Sequence, residues 1–355
     1  METTASPPTT DGPAGRPRRL TIADIAARAQ VSPSAVSFAL NGRPGISPET
    51  RERILAVAKE ANWRPNYAAH ALSTARSGAI GVVTIREPEQ PLWSASFGGH
   101  FLAGVQAELA ERDVLLILHT VADLEAESAL YDRWLGERRV DGVLVINPET
   151  DDPRLAALES LDLPAVVVGD VRDRSALGCV WTDDAAATTL AVEHLAGLGH
   201  RNVGRMSGDS HLLHYAIRER AYRDALAAHA MRTEQRTLTH DQHGAEEIRD
   251  LARRGTDPLT AVIVEDLEVA VQLTANLAQL GMSVPGDISV LAWDDGAAAT
   301  LLRPSLTALH RDIAGYGRLA AQELVRTIDG GAPRSLQGTT TTLVARQSTG
   351  PAPVR

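Results

Sequence analysis

Short apolar runs alternate with segments of helical periodicity from residue 79 onward, and this alternation constrains the fold more than any other feature of the chain. The runs are rich in Val, Ile and Leu, which is typical of strands buried on both faces of a parallel sheet. They form two series, 79–85, 114–118, 141–146 and 165–170, then 202–208, 259–266 and 287–295. Predicted helices lie between them at 100–112, 184–198, 216–229 and 267–280. The pattern predicts an α/β core of two parallel-sheet lobes, with a ligand cleft beyond the carboxyl ends of the strands.

Residues 20–65 have a different pattern, that of an all-α unit with three short helices. Thr21 is placed to cap the first helix, Ser32 the second and Ser47 the third, because a side-chain oxygen at this position accepts from a free backbone N–H. Pro33 and Pro48 follow two of these caps, at the helical position where a missing N–H costs nothing. Only three residues separate the first two helices, so we predict a helix-turn-helix that binds DNA.

The charge is distributed unevenly along the chain. Between Arg16 and Arg76 there are ten basic and four acidic residues, although the whole chain has a formal net charge of −10. A basic segment joined to an acidic remainder suits binding of a polyanion by the N-terminal part alone. Residues 1–19 are rich in Pro, Thr and Gly without periodicity, and we expect them to form a disordered tail.

Several classes of protein are disfavoured by what the sequence lacks. Cys179 is the single cysteine, so a disulfide framework is excluded and a cytoplasmic location is expected. No secretion signal and no apolar run of about 18 residues is present, so no membrane association is expected. The eleven histidines form no HExxH spacing, and neither a phosphate-binding glycine loop nor a GxSxG elbow occurs. We therefore expect no metal, no cofactor and no enzymatic activity.

The segments TIADIAARAQVSPSAVSFALNGRPGISPETRERI and ANWRPNYAAHALSTARSGAIGVV resemble the DNA-binding headpiece and hinge of the LacI/GalR family of transcriptional regulators. Later segments, among them SVPGDISVLAWDDGAAATLLRPSLTAL and VARQST, match further family blocks in order. The resemblance implies a periplasmic-binding-protein-like core. The expected domains are a tail (1–19), a headpiece (20–65), a hinge helix (66–77), a two-lobed effector-binding and dimerisation core (78–346) and a C-terminal tail (347–355).

The resemblance also implies which headpiece residues contact DNA. The second helix enters the major groove in this family, and its base-reading positions are occupied here by Pro33, Ser34 and Phe38. Phe38 has two interpretations, since it can contact a thymine methyl group or turn into the core. The positions that match phosphate contacts are Thr21, Ser32, Ser37, Asn41, Ser47, Thr50 and Arg51. Capping alone would also explain Thr21, Ser32 and Ser47.

Leu72 matches the hinge leucine that family dimers insert into the minor groove at the centre of the operator. An inserted apolar side chain unstacks a base step and kinks the duplex. The alternative is that Leu72 packs on its own core. His70 lies where the family often has Arg or Gln, so we expect a further minor-groove contact there.

In the core, Arg218 and Asp294 match family residues that hold effector hydroxyl or carboxylate groups. Trp293 is positioned to stack on a sugar ring or to pack in the core. Trp93 and Phe97 follow the first strand and are expected to face the cleft. Glu265 follows another strand and is also expected to contact the effector. Asp266 and Asp295 have the alternative role of helix caps.

Together these features predict a homodimeric, ligand-responsive regulator of transcription, with repression as the expected activity. Its expected partners are a pseudo-palindromic, double-stranded DNA operator and a small-molecule effector, a sugar or related metabolite. The alternative is a cytosolic sugar-binding module without a DNA-binding role.

Overall fold

The computed structural model describes residues 20–40, 44–63, 76–85, 95–208, 211–236 and 242–354. The chain divides into two units, residues 1–75 and residues 76–355. The predicted tail at 1–19 lies outside the described residues, as does the predicted hinge helix apart from residues 76 and 77.

The first unit contains three helices, α1 (Ile22–Ala29), α2 (Pro33–Leu40) and α3 (Pro48–Glu60). Thr21 begins α1 with a reciprocal capping box, and Ser47 begins α3 by accepting from the Thr50 backbone N–H. Ile25, Val36 and Ile54 contribute one fully buried side chain from each helix to a common core. The predicted helix-turn-helix is therefore present, and its helices are fixed by mutual burial rather than by their length.

Two long-range hydrogen bonds tie this unit together. The Trp63 indole Nε1 donates to the Leu20 carbonyl at 2.6 Å and so joins the two ends of the described part of the unit. Arg51 on α3 donates to the Ala39 carbonyl near the end of α2 at 3.2 Å. The end of α2 is thus held against α3.

The first lobe of the second unit has a fully parallel sheet of six strands in the order β11-β5-β4-β3-β1-β2. Its strands are β1 (Ala79–Ile85), β2 (Leu115–Val121), β3 (Gly142–Val145), β4 (Ala165–Val168), β5 (Gly178–Trp181) and β11 (Ser335–Gln337). Its helices are α4 (Ala95–Ala110), α5 (Leu124–Glu137), α6 (Pro153–Ser160) and α12 (Ile313–Ile328). Gly104 and Gly317 allow α4 and α12 to approach closely, because a β-carbon at either position would meet backbone of the other helix.

The second lobe has a six-stranded sheet in the order β12-β10-β9-β8-β6-β7, parallel except for β12. Its strands are β6 (Asn202–Met206), β7 (Arg232–Arg236), β8 (Ala261–Val264), β9 (Ser289–Ala292), β10 (Thr307–His310) and β12 (Thr342–Val344). Its helices are α7 (Asp184–Gly197), α8 (Leu213–Ala228), α9 (Gln242–Ala252), α10 (Leu267–Gln279) and the short α11 (Ala297–Leu301). The prediction of two parallel-sheet α/β lobes is confirmed.

Within the described part of this unit the chain passes between the lobes at 182–183, 311–312 and 338–341. These segments lie side by side. The Gly338 N–H donates to the Trp181 carbonyl at 2.7 Å, and the Asp312 N–H donates to the Thr339 hydroxyl at 3.2 Å. The lobes are therefore joined by three adjacent backbone segments, an arrangement that permits hinge motion.

The segment after Arg346, which sequence analysis separates as a tail, packs on the second lobe. Ser348 is fully buried and accepts a hydrogen bond from the Thr307 N–H. The Gly350 carbonyl contacts the His200 ring, and the Ala352 N–H donates to the Leu198 carbonyl at 2.9 Å. The core thus continues past the expected boundary because these residues supply hydrogen-bond partners to buried groups. Among the described helices none is long and apolar enough to cross a membrane.

Candidate functional site

A cavity of about 1020 Å³ lies between the two lobes. Its walls include residues at or just after the ends of β1, β3, β4, β6, β8 and β9, which is the position that parallel-sheet topology predicts for a ligand. Four of the residues predicted to contact an effector line it, namely Phe97, Arg218, Glu265 and Asp294.

Arg218 extends from α8 and lies between two carboxylates and an aromatic ring. Its guanidinium contacts Asp184 at 3.0 Å and lies 3.6 Å from the second carboxylate oxygen of Glu265. The guanidinium carbon lies 4.0 Å from the centre of the Trp293 ring. Burial lowers the pKa of Arg218, but Asp184 and Glu265 outweigh burial and raise it above its ordinary value. Arg218 is therefore a fixed cation.

Glu265 is positioned directly after β8 and is 5% exposed. Arg205 on the neighbouring β6 donates to one of its carboxylate oxygens at 2.5 Å. Burial raises the pKa of Glu265, and the two arginines oppose this effect. Its other oxygen makes no hydrogen bond to the described residues, which leaves an acceptor at the cavity wall.

Asp294 lies two residues after the end of β9, also at the cavity wall. Arg311, on a segment that passes between the lobes, donates to one of its oxygens through Nε at 3.1 Å and a terminal nitrogen at 2.9 Å. The Arg311 guanidinium also lies 5.2 Å from the centre of the Phe97 ring. Asp294 of the second lobe and Phe97 of the first lobe are thus connected through one side chain.

Trp293 does not line the cavity. It is 2% exposed and belongs to the apolar core of the second lobe, beneath Arg218. Its prediction as a stacking surface for a sugar is therefore corrected to its alternative, a core residue, which holds the arginine by a cation–π contact. Trp93 lies outside the described residues.

The first-lobe wall contains an ionic cluster that sequence reasoning missed. Arg154 is 2% exposed and donates to Glu127 at 2.9 Å, to Asp152 at 2.6 Å and to the Asn147 carbonyl at 2.9 Å. Burial raises the pKa of Glu127 although Arg154 opposes this effect. Tyr131 donates to the same carboxylate. The cluster fixes the loop after β3, and nothing in the spacing of these residues indicates that they meet.

His214 and Tyr215, at the beginning of α8, were also missed by sequence reasoning. Both line the cavity, with ring centres 4.2 Å apart. Burial, with Arg218, Arg311 and Arg205 nearby, lowers the pKa of His214 well below its ordinary value, so the ring is neutral. Neither ring nitrogen makes a hydrogen bond to the described residues. A neutral imidazole there offers one donor and one acceptor to a ligand.

A backbone bridge, here called the clasp, connects the lobes at the cavity. It pairs Glu149 of the first lobe with Leu212 of the second in antiparallel orientation. The Leu213 N–H donates to the Pro148 carbonyl at 2.8 Å, and the Thr150 N–H donates to the His211 carbonyl at 2.9 Å. The two lobes can move apart at this side of the cavity only if these hydrogen bonds break.

In the first unit, the predicted base-reading residues Pro33 and Ser34 are exposed at the beginning of α2. Ser32 precedes them, accepts from the Ala35 N–H at 3.2 Å and lies 2.9 Å from the Ser34 hydroxyl. Phe38 is only half-buried, and its ring lies 3.3 Å from where a β-carbon on Gly45 would be. The helix terminus is available to a duplex, whereas Phe38 is partly engaged by the loop after α2.

The residues predicted to contact phosphates have other roles that the structure makes visible. Thr21 and Ser47 cap helices, the Ser47 hydroxyl donates to Thr50, and Arg51 holds the end of α2. Ser37 is half-buried on α2. The predicted contacts Asn41, His70 and Leu72 lie outside the described residues.

Comparison with protein families identifies two domains. Residues 21–66 match the model of bacterial regulatory proteins of the lacI family, and residues 192–349 match a periplasmic binding protein-like domain. The HTH-type transcriptional regulator AglR of Rhizobium meliloti is 31% identical over 340 residues, which cover 92% of this chain and 93% of the relative. CelR of Thermobifida fusca, also an HTH-type transcriptional regulator, is 29% identical and is covered to 94%.

Solved structures agree with these matches. A LacI family transcriptional regulator from Bifidobacterium animalis superposes with a TM-score of 0.71 at 29% identity, over 78% of this chain and 99% of that one. A complex of the regulator CelR with cellobiose gives a TM-score of 0.66 at 28% identity, over 93% of this chain and 100% of that one. The lac repressor dimer bound to operator gives a TM-score of 0.78 at 23% identity over 94% of this chain and all of that one, a likeness of fold.

Proposed function

This chain belongs to the LacI family of bacterial regulatory proteins and is a DNA-binding transcriptional regulator, and on that premise we propose that it is a homodimeric repressor released from its operator by a sugar. The operator is a pseudo-palindromic duplex, since two identical headpieces read two half-sites. The sugar occupies the cavity between the lobes.

The observation that supports this proposal most strongly is the construction of the cavity from both lobes. Arg311 lies on a connecting segment and contacts Asp294 of the second lobe, while Phe97 and Arg154 come from the first lobe. A ligand that contacts both walls stabilises one arrangement of the lobes over another. Its binding free energy is then available to change DNA affinity.

The effector class is supported by chemistry and by relatives. Carboxylates and guanidinium groups next to aromatic rings suit the hydroxyl groups and the apolar faces of a sugar. One related regulator has been solved with cellobiose. The first experiment is therefore a thermal-shift screen of mono- and disaccharides.

The proposed DNA contacts are those that the family resemblance predicts. Pro33 and Ser34 of α2 read bases, with Phe38 at the third position, and the residues around the helix ends contact phosphates. The hinge residues Leu72 and His70 contact the minor groove at the operator centre. The minor-groove roles of Leu72 and His70 are proposed from the family resemblance.

A single substitution in the full chain tests the DNA-binding part of the proposal. Ser34→Glu places a negative charge at the exposed beginning of α2, which in the proposed complex would lie in the major groove between the negatively charged strands of the duplex. Binding to DNA from the neighbourhood of the gene is expected to weaken at least about ten-fold. Ser160→Glu adds the same charge to the exposed end of α6 and serves as the control.

Two results would contradict the proposal. Ser34→Glu would bind this DNA as tightly as the unmodified chain, or no sugar that stabilises the protein would change its DNA affinity. Sugar binding without any DNA binding at low salt would instead identify a sugar-binding module.

A further inference from the structure

Each arginine in the described wall of the cavity is already engaged by a carboxylate. Arg218 contacts Asp184 at 3.0 Å, and Arg311 contacts Asp294 at 2.9 Å. The third, Arg154, is held by Glu127 and Asp152 in the first lobe. An anionic ligand would have to compete with these carboxylates for the same N–H groups, which are fixed and buried.

Carboxylates also outnumber arginines in the wall. The acidic residues that line the cavity are Glu127, Glu149, Asp170, Glu265, Asp266 and Asp294, against the arginines Arg154, Arg218 and Arg311. Asp266 caps α10 by accepting from the Val269 N–H, and Asp170 pairs with Arg172 outside the cavity. A phosphate or carboxylate that entered the cavity would meet more carboxylates than arginines along the wall, which disfavours an anion.

Hydroxyl groups fit the same wall without this conflict. A hydroxyl donates to a carboxylate oxygen such as the second oxygen of Glu265, and for this bond it needs no guanidinium N–H that a carboxylate already holds. The neutral ring of His214 supplies one group of each kind. An uncharged ligand leaves every ion pair of the wall intact.

We propose that the cleft selects an uncharged polyhydroxyl ligand and rejects the acidic and phosphorylated forms of the same molecule. The selectivity comes from the carboxylates Asp184 and Asp294, which neutralise the arginines nearest the ligand. This inference rests on the proposed function only in taking the cavity as the effector site.

Matched probes test this selectivity on the full chain. The neutral probes are glucose, galactose, maltose and cellobiose. The charged probes are glucuronate, galacturonate, maltobionate, cellobionate and the 6-phosphates of glucose and galactose. Thermal shift and calorimetry should show that at least one neutral sugar binds, with a Kd at least about 30-fold lower than that of its charged counterparts.

Asp184→Asn tests the source of the selectivity, because it removes a counter-charge and leaves Arg218 in place. The ratio of the Kd of the acid to the Kd of the neutral sugar is expected to fall at least about ten-fold. Glu219→Gln is the matched control, since Glu219 pairs with the exposed Arg223 one turn along α8, outside the cavity wall. Asp294→Asn frees Arg311 in the same way and replaces Asp184→Asn if that variant is unstable.

The outcomes separate this inference from the proposed function. If a sugar acid or phosphate binds as well as its neutral counterpart, or no neutral probe binds, the inference is overturned. If such an acid also releases operator DNA, the regulatory proposal stands while the selectivity fails. If neutral sugars bind with the expected preference and never change DNA affinity, the inference stands and the regulatory proposal fails.

Discussion

Arg218 joins two carboxylates that would repel each other without it. Asp184 and Glu265 contact opposite parts of its guanidinium, and Trp293 lies against one face. The identity of Arg218 as a cleft residue follows from its family position. Its partners cannot be read from the sequence, because Asp184 lies 34 residues away and meets Arg218 only when α7 packs against α8. The same holds for Arg154 and Glu127, which are 27 residues apart.

Removing the positive charge of Arg218 should lower the stability of the folded protein. Arg218→Met is expected to lower the free energy of unfolding at pH 7 by about 3 kcal/mol, since it leaves Asp184 without its counter-charge and leaves Glu265 with Arg205 alone. Urea denaturation followed by circular dichroism measures the change. Arg223→Met removes an exposed arginine from the same helix and should change stability by less than about 0.5 kcal/mol. Equal effects of the two substitutions would show that Arg218 is not held as described.

His200 makes stability depend on pH. Its ring contacts the Thr260 hydroxyl at 2.9 Å and the Gly350 carbonyl at 3.1 Å, and burial lowers its pKa in the folded protein. Below the ordinary histidine pKa of about 6.5 the unfolded chain takes up a proton that the folded chain resists, so stability falls as the pH falls.

The contribution of His200 is measured by comparison with His200→Gln. The free energy of unfolding of the unmodified chain is expected to decrease more steeply from pH 7 to pH 5 than that of the variant. Parallel pH profiles would exclude the assigned role of His200.

At the scale of elements, strands that are continuous apolar runs were the easiest to predict, and strands that contain polar residues or very few residues were the hardest. β1, β3, β4, β8 and β9 are continuous apolar runs, and each was found within a few residues of its observed bounds. The strands β5, β7, β10, β11 and β12 were not predicted. The edge strands β7 (RTEQR) and β11 (SLQ) are polar and short, and they form only because a neighbouring strand supplies hydrogen-bond partners.

The turn between α1 and α2 contains a residue under backbone strain. Gln30 occupies the position where many helix-turn-helix units have Gly, and it adopts a left-handed conformation with φ of 55°. Gln30→Gly is expected to stabilise this unit by about 0.5 kcal/mol, because relief of strain exceeds the added entropy of the unfolded chain.

Hydrogen exchange of amides in residues 20–63, measured by mass spectrometry on the full chain, reports the effect of Gln30→Gly. Gln272→Gly is the control. It makes the same replacement of Gln by Gly at an exposed position inside α10 and should destabilise that helix by about 1 kcal/mol. Slower exchange is expected in the first variant and faster exchange in the second. Faster exchange in both would contradict the strain at Gln30.

The clasp is expected to control access to the cavity. Glu149 and Leu212 face each other between flanking backbone hydrogen bonds, the antiparallel geometry with α-carbons about 4.5 Å apart, which suits a disulfide. Glu149→Cys combined with Leu212→Cys should cross-link the lobes on oxidation and slow exchange of a bound sugar at least about ten-fold. Cys179 is buried and does not compete.

Reduction with dithiothreitol provides the internal control, since it should restore the exchange rate of the unmodified chain. Stopped-flow measurement of sugar dissociation before and after reduction gives both rates. Unchanged exchange in the oxidised protein would mean that ligands enter without opening the clasp.

At the scale of the whole molecule, the two sheets, the three connecting segments and the clasp form a frame around one cavity. The alternation of apolar runs predicted both lobes and the place of the cleft. It did not predict that the chain returns to the first lobe with α12 and β11 before it ends in the second. That path depends on long-range packing such as the close approach of α4 and α12 at Gly104 and at Gly317, which local patterns do not encode.

If binding of an effector between the lobes changes the affinity of the DNA-binding unit for operator, then binding of operator must change the affinity for the effector by the same factor. The factor by which a bound sugar raises the Kd for operator equals the factor by which bound operator raises the Kd for sugar. For a family regulator we expect a factor of about 5 to 150, equivalent to about 1 to 3 kcal/mol of coupling free energy. Fluorescence anisotropy with labelled operator gives the first factor, and calorimetry with and without operator gives the second.

The oxidised clasp variant makes this measurement decisive, because it fixes one arrangement of the lobes. A frame that couples the sites by lobe motion should lose most of the coupling when the clasp is cross-linked and regain it on reduction, while both equilibrium factors remain equal to each other. Coupling that persists undiminished in the cross-linked protein would require a route that leaves the lobes in place, and the proposed mechanism of release would then be wrong.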